Sequence, residues 1–251
     1  MHLFYISNCP VSVWELQNRS ILFPSRRVKV AVDTGLRSVH IPVPHVPHIH
    51  PSSHLTSLTP VTVAEVERLI QTAPTKTFPL DILPTHLLKQ CSPKLSTVIA
   101  HLANRSFETS RFLSSLKFGL VTPLLKKPGL DVTDYKNFRP ITNLTTVSKI
   151  LERLALAWFK PHIIWSPNYS PLQSAYRAAH STETALVRVV DDILSCIDSG
   201  SVVAVVGLDI SAAFYTVCHQ TLVNRLELEF GIRGSALTRV ASYLSDRSVS
   251  V

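Results

Sequence analysis

Val202-Val203-Ala204-Val205-Val206-Gly207-Leu208-Asp209-Ile210-Ser211-Ala212-Ala213-Phe214 is the stretch on which the fold turns. It begins with an unbroken apolar run of strand length, rich in β-branched side chains, which predicts a buried central strand. The run ends on a carboxylate. An aspartate at the end of a buried strand needs a cation, a hydrogen-bond donor or solvent, because burial without a partner is costly. A metal satisfies that need, and so does a place as helix N-cap or turn residue.

Helices surround this strand in sequence. Ser181 begins one in which Leu186, Val189, Val190, Ile193 and Leu194 face a core, and Gly200 stops it. Asp191-Asp192 falls on the solvated side of that helix. After the strand, two short helices are predicted over about 219–229 and 235–244. Before it, Val147, Ile150, Leu151 and Leu154 mark a helix continuing towards 160, and Lys117 to Lys127 reads as a strand closed by Pro128-Gly129. Thr62-Val63-Ala64-Glu65 is a capping box whose helix carries Val66, Leu69 and Ile70 on one face and runs to about 72. Pro84 suits the first turn of a second helix. Ser92-Pro93 begins a third, with Leu95, Val98, Ile99 and Leu102 at helical spacing. The chain is therefore of the α+β class, mostly helical with a few strands and no internal repeat.

A chain of 251 residues, 45% of them hydrophobic, can bury one sizeable core or two small ones. Its net charge of +8 favours an anionic partner, nucleic acid before a membrane surface. Cys9, Cys91, Cys196 and Cys218 lie far apart with no CxxC pair, so neither a zinc site nor a disulfide-linked partner is expected. No apolar run reaches the roughly 18 residues of a membrane-spanning helix, so no membrane partner is expected, and an intracellular place, cytoplasm or nucleus, follows. Residues 1–56 differ in character: prolines at 42, 44, 47 and 51 and histidines at 40, 45, 48, 50 and 54 break any period, which predicts a poorly ordered leader rather than a metal site.

Five segments then agree with one family in order and spacing. They are Val121-Thr122-Pro123-Leu124-Leu125-Lys126-Lys127-Pro128-Gly129; Asn137-Phe138-Arg139-Pro140-Ile141-Thr142-Asn143-Leu144 with Ser148-Lys149-Ile150-Leu151-Glu152; Gln173-Ser174-Ala175-Tyr176-Arg177; His180-Ser181-Thr182-Glu183-Thr184-Ala185-Leu186; and Leu208-Asp209-Ile210-Ser211-Ala212-Ala213-Phe214. Together with Pro79-Leu80-Asp81 and Leu87-Leu88-Lys89, they resemble the reverse transcriptases of non-LTR (LINE-type) retrotransposons over about residues 58 to 251.

The resemblance implies part of a right-hand polymerase fold, with fingers and the start of a palm. Its chemistry is RNA-directed DNA synthesis on an RNA template with a DNA primer or hybrid, using two Mg2+ or Mn2+ ions. On that likeness Asp209 is the first catalytic, metal-binding aspartate, and Phe214 lies against the nucleotide sugar. Arg139 holds the incoming triphosphate, a task suited to a planar, permanently charged guanidinium, with Lys126 or Lys127 assisting. Lys149 and Arg177 are implied only as template or backbone contacts. Read without the family, the cations are a solvated face and Phe214 a core aromatic.

The sequence departs from the family twice. Where the family continues Asp-Thr-Val-Asp-His, this chain has Tyr215-Thr216-Val217-Cys218-His219, and Gly-Phe-Arg-Pro-Gly-His becomes Ala175-Tyr176-Arg177-Ala178-Ala179-His180. The first change removes two acids. The second puts methyl groups at glycine positions suited to unusual backbone angles. The family's second metal-binding segment, Tyr-x-Asp-Asp, is not among these residues. The expected layout is a leader over residues 1–56, a helical extension over 57–115, fingers over 116–200 and the first part of a truncated palm over 201–251. The expected function is that of a reverse transcriptase domain inactive alone; the alternative is a non-catalytic nucleic-acid-binding remnant.

Overall fold

The capping box at Thr62 forms as the sequence predicts. Thr62 Oγ1 accepts from the Glu65 amide, and the Glu65 carboxylate takes the Thr62 amide at 2.7 Å, so α1 (Val63–Thr72) begins with its exposed donors satisfied. The bond from the Thr62 amide, and a second one donated by the Thr62 hydroxyl to the same carboxylate at 2.9 Å, hold the Glu65 carboxyl below its ordinary range. The structure, a computed structural model, describes residues 2–7, 49–50, 53–76, 78–208 and 217–250. The chain divides into two units, residues 1–48 with 167–225, and residues 49–166 with 226–251.

The second unit holds α1, α2 (Thr85–Gln90), α3 (Ser92–Glu108), β2 (Phe118–Leu125), β3 (Phe138–Asn143), α4 (Thr146–Ile164), α7 (Gly234–Leu244) and β5 (Ser248–Ser250). Its core is Val66, Ile70, Leu88, Ile99, Ala103, Phe107, Ile150, Leu151, Leu154, Ile232 and Ala236. The predicted apolar face of α3 is rotated from the buried one: Val98 is 56% exposed, whereas Ser92, Ser96, Ile99, Ala100, Ala103, Ser106 and Phe107 are buried. Small side chains on that stripe let neighbouring backbones approach, which a row of leucines would prevent. Asn104 fastens the entry to α1 by accepting from the Val61 amide at 2.7 Å and donating to its carbonyl at 3.0 Å.

Residues just before the expected leader boundary are packed, not loose. Ile49 is buried; Leu55 donates to the Gly231 carbonyl and accepts from the Arg233 amide; the Thr56 carbonyl accepts from the Ala236 amide. Gly231 makes the approach possible: its φ is +65°, and a Cβ there would lie 2.8 Å from the His54 ring. Leu55 packs against the core of this unit and Ile49 is buried, packing that the neighbouring prolines and histidines conceal in the sequence.

The first unit contains β1 (His2–Ser7), α5 (Thr182–Asp198), β4 (Val203–Leu208) and most of α6 (His219–Leu228). β1, from the expected leader, pairs antiparallel with β4 from His2↔Leu208 to Ser7↔Val203. The run Leu3-Phe4-Tyr5-Ile6 has the composition of a strand, and the leader's disruptive prolines lie elsewhere. β4 appears where predicted, but not as a buried central strand: it has β1 as its one described neighbour, and Val205 is 42% exposed. α5 starts at the predicted Ser181 cap, yet carries no fully buried residue, with Leu186, Val190 and Leu194 exposed. No helix among the described residues is long and apolar enough to cross a membrane.

Candidate nucleotide-binding site

Two prolines fix the register of the hairpin that carries Arg139. Pro123 pairs with Pro140, Leu124 with Arg139 and Leu125 with Phe138. The Lys126 amide donates to the Asn137 carbonyl at 2.8 Å, so that rung is hydrogen-bonded. Alternation from there makes the proline rung non-hydrogen-bonded, a position where missing N–H groups cost the β2–β3 ladder nothing. A one-residue slip would put a proline on a bonded rung. At the buried end Gly119 lies against β3, where a Cβ would stand 2.7 Å from the stiff Thr142 methyl, so β2 admits no larger residue there without displacement.

Direct pairing and the period of two place Thr122, Leu124, Arg139 and Ile141 on one face of the hairpin, and Lys126 continues that row. Leu124 and Ile141 are exposed, and the Arg139 side chain makes no hydrogen bond or ion pair with a described residue. The Cα atoms of Arg139 and Lys126 are diagonal neighbours, about 7–8 Å apart in ordinary antiparallel geometry. Lys126 is partly committed: its Nζ donates to the Lys136 carbonyl at 2.6 Å, tying down the loop between the strands. Asp131 stiffens the same loop by accepting from the Thr133 amide and hydroxyl, which hold its carboxyl below the usual range. Lys127 lies exposed just beyond β2. The structure thus brings Arg139 and the lysine pair to one end of one hairpin.

Lys149 has other work. Its Nζ stands 3.3 Å from the centroid of the Phe78 ring, and burial outweighs Asp81 and Glu152 in pulling its pKa down. Asp81 accepts from both the amide and the hydroxyl of Thr146, each at 2.6 Å, placing a carboxylate on the N-terminus of α4. In the other unit Arg177 donates to the Pro171 carbonyl at 2.9 Å and lies 5.9 Å from the Tyr169 ring centroid. Ala179, in place of the glycine of the motif this segment resembles, has φ +59°, and Tyr176 has φ +63°. The strain expected of that substitution is therefore present at Ala179.

Asp209 and Phe214 lie outside the described residues, which resume at Val217. Among the described residues no group of three His, Cys, Asp or Glu side chains could hold a metal ion. Cys218, in place of the aspartate of the motif this segment resembles, caps α6: its carbonyl accepts from the Leu222 amide. Bonds from the Thr221 hydroxyl and amide, and from the Gln220 amide, pull its thiol pKa down. The thiolate is favoured in the folded state, so this contribution grows as pH rises through the thiol's range and is lost as pH falls. Alkylation of Cys218 is expected to reach its half-maximal rate at a lower pH in the native protein than in urea. Identical midpoints, read by peptide mass mapping, would remove the cap.

No protein-family model matches the chain. Among curated proteins, it is 29% identical over 198 residues to the probable RNA-directed DNA polymerase from transposon X-element of Drosophila melanogaster. It is 25% identical over 193 residues to the corresponding protein from transposon BS, and 27% over 195 residues to the RNA-directed DNA polymerase from mobile element jockey, both of the same organism. These alignments cover 78%, 76% and 77% of this chain. The chain spans about a fifth of the length of these relatives, 21% in each. Its curated homologues are thus non-LTR retrotransposon RNA-directed DNA polymerases, the family its motifs resemble.

Proposed function

We propose that this chain is the fingers and first palm strand of a LINE-type reverse transcriptase, with the β2–β3 hairpin as its seat for the incoming nucleotide. The observation that carries this reading is Arg139, an exposed guanidinium without a partner on a hairpin whose register is pinned by Pro123 and Pro140. Such a group offers two parallel N–H donors to a phosphate, and no acid shares its face. Lys126 shapes the adjoining loop, and Lys127 adds a mobile point charge. RNA template and DNA primer would be the partners. Asp209 is proposed as a ligand for a divalent ion that supplies charge stabilisation at the transferred phosphate. Arg139, Lys126 and Lys127 would bind and orient the triphosphate.

The experiment is nucleotide binding by the purified 251-residue polypeptide, followed with a fluorescent deoxynucleoside triphosphate. Arg139→Ala is expected to weaken binding about tenfold or more, and Arg139→Lys to recover only part, since a lysine cannot form the paired contact. Equal binding by all three proteins would sink the assignment. The Tyr-x-Asp-Asp segment is not among these residues, so primer extension by the same polypeptide is expected to be undetectable even where hybrid binds.

A further inference from the structure

The outer side of α4 carries an open groove of about 420 Å³ that the hairpin does not share. Arg153, Leu156, Lys160 and Ile164 line it at helical spacing, and Trp165 closes one end. Trp165 is 86% exposed and Leu156 52%, whereas Ile150, Leu151 and Leu154 on the opposite side of the helix are buried. Resting on the reading above, we infer that this groove binds single-stranded nucleic acid, a base stacking on the Trp165 indole while Arg153 and Lys160 hold the adjoining phosphates.

Three features of the groove favour that occupant over a protein segment. Both charged residues lining it are cations, neither has an ion-pair partner among the described residues, and the chain as a whole is at +8. Seven residues separate Arg153 from Lys160, a rise of about 10 Å at 1.5 Å per residue, which suits a short stretch of backbone. The apolar part is Leu156, Ala157, Pro161 and Ile164, ending in the flat, exposed indole of Trp165 just over one turn beyond Lys160. Flat aromatic surface beside a row of cations is the arrangement that holds unpaired bases without regard to sequence.

The test is fluorescence anisotropy of labelled oligo(U) and oligo(dT) with the 251-residue polypeptide across a salt series. Trp165→Ala is expected to weaken binding of both about tenfold, and Trp165→Phe to retain most of it. Arg153→Gln with Lys160→Gln should lower the slope of log affinity against log salt by about 1.4, the share of two phosphate contacts on a single strand. Arg139→Ala runs in parallel. If it weakens triphosphate binding while Trp165→Ala binds oligonucleotide like the parent, the groove inference falls and the hairpin reading stands. If the parent binds neither oligonucleotide, the inference falls whatever Arg139 does with triphosphate. Loss of self-association in Trp165→Ala with oligonucleotide binding unchanged would assign the groove to a second copy, and overturn it too.

Discussion

Leu151→Ala is expected to lower the stability of the second unit by about 2–5 kcal/mol, the range for a leucine truncated in a core that cannot collapse around the gap. Leu151 is fully buried, between Ile150 and Leu154 on the inward stripe of α4, and α4 packs on both α1 and α3. Neighbours on several helices cannot all relax towards one cavity. Leu156→Ala on the same helix removes the same atoms from a half-exposed site and is expected to cost about 0.5 kcal/mol or less. Urea denaturation of the two variants separates them. Near-equal losses would mean that α4 does not present the face assigned to it, and the groove opposite would go with it.

The elements that were legible in the sequence are those whose signals are local. Thr62 with Glu65, and Ser181 with Thr184, each close a capping box, and both helices begin where those residues predict. β2 is legible because its apolar run is closed by Pro128-Gly129, whereas β3, interrupted by Arg139 and Pro140, carries no strand signal of its own. Faces were less legible. On α3 the inward stripe is made of serines and alanines, and hydrophobicity alone points to Val98 instead. β4 reads as a core strand because its composition is that of one, while burial depends on neighbours that composition does not specify. Of the candidate residues, Arg139, Lys126 and Lys127 come together on one hairpin, and Lys149 is turned to Phe78, a contact visible only in three dimensions. Arg239 went unnoticed, although Ala236, Arg239, Val240 and Tyr243 repeat at core spacing on α7 and an arginine on that stripe is the anomaly.

That buried arginine gives the other large effect. Arg239 is 2% exposed, with its guanidinium 4.7 Å from the centroid of the Phe112 ring and 5.8 Å from that of Phe107. Its Nε and Nη2 have no hydrogen-bond partner. Two cation–π contacts return about 1–2 kcal/mol against the larger cost of a desolvated, incompletely bonded charge, so Arg239→Met is expected to raise stability by about 2 kcal/mol at neutral pH. The pH dependence identifies the cause. Burial lowers the Arg239 pKa from 12.5 to about 10, so its penalty is complete below pH 10 and is relieved as pH rises from there. Burial, then the nearby Glu152 carboxylate to which its hydroxyl donates at 2.8 Å, raises Tyr243 from 10 to about 12. The contribution of Tyr243 is complete below pH 10 and is lost between 10 and 12, opposite in sign to that of Arg239. In the parent the two trends offset each other over that window. In Arg239→Met only the loss at Tyr243 remains, so its advantage should shrink as pH climbs from 10 to 12, measured as the difference in urea midpoint between the two proteins. A variant less stable than the parent at neutral pH would mean that the attraction of the nearby Glu152 carboxylate and the two rings outweighs the desolvation of the guanidinium, and the account of a net penalty would be withdrawn.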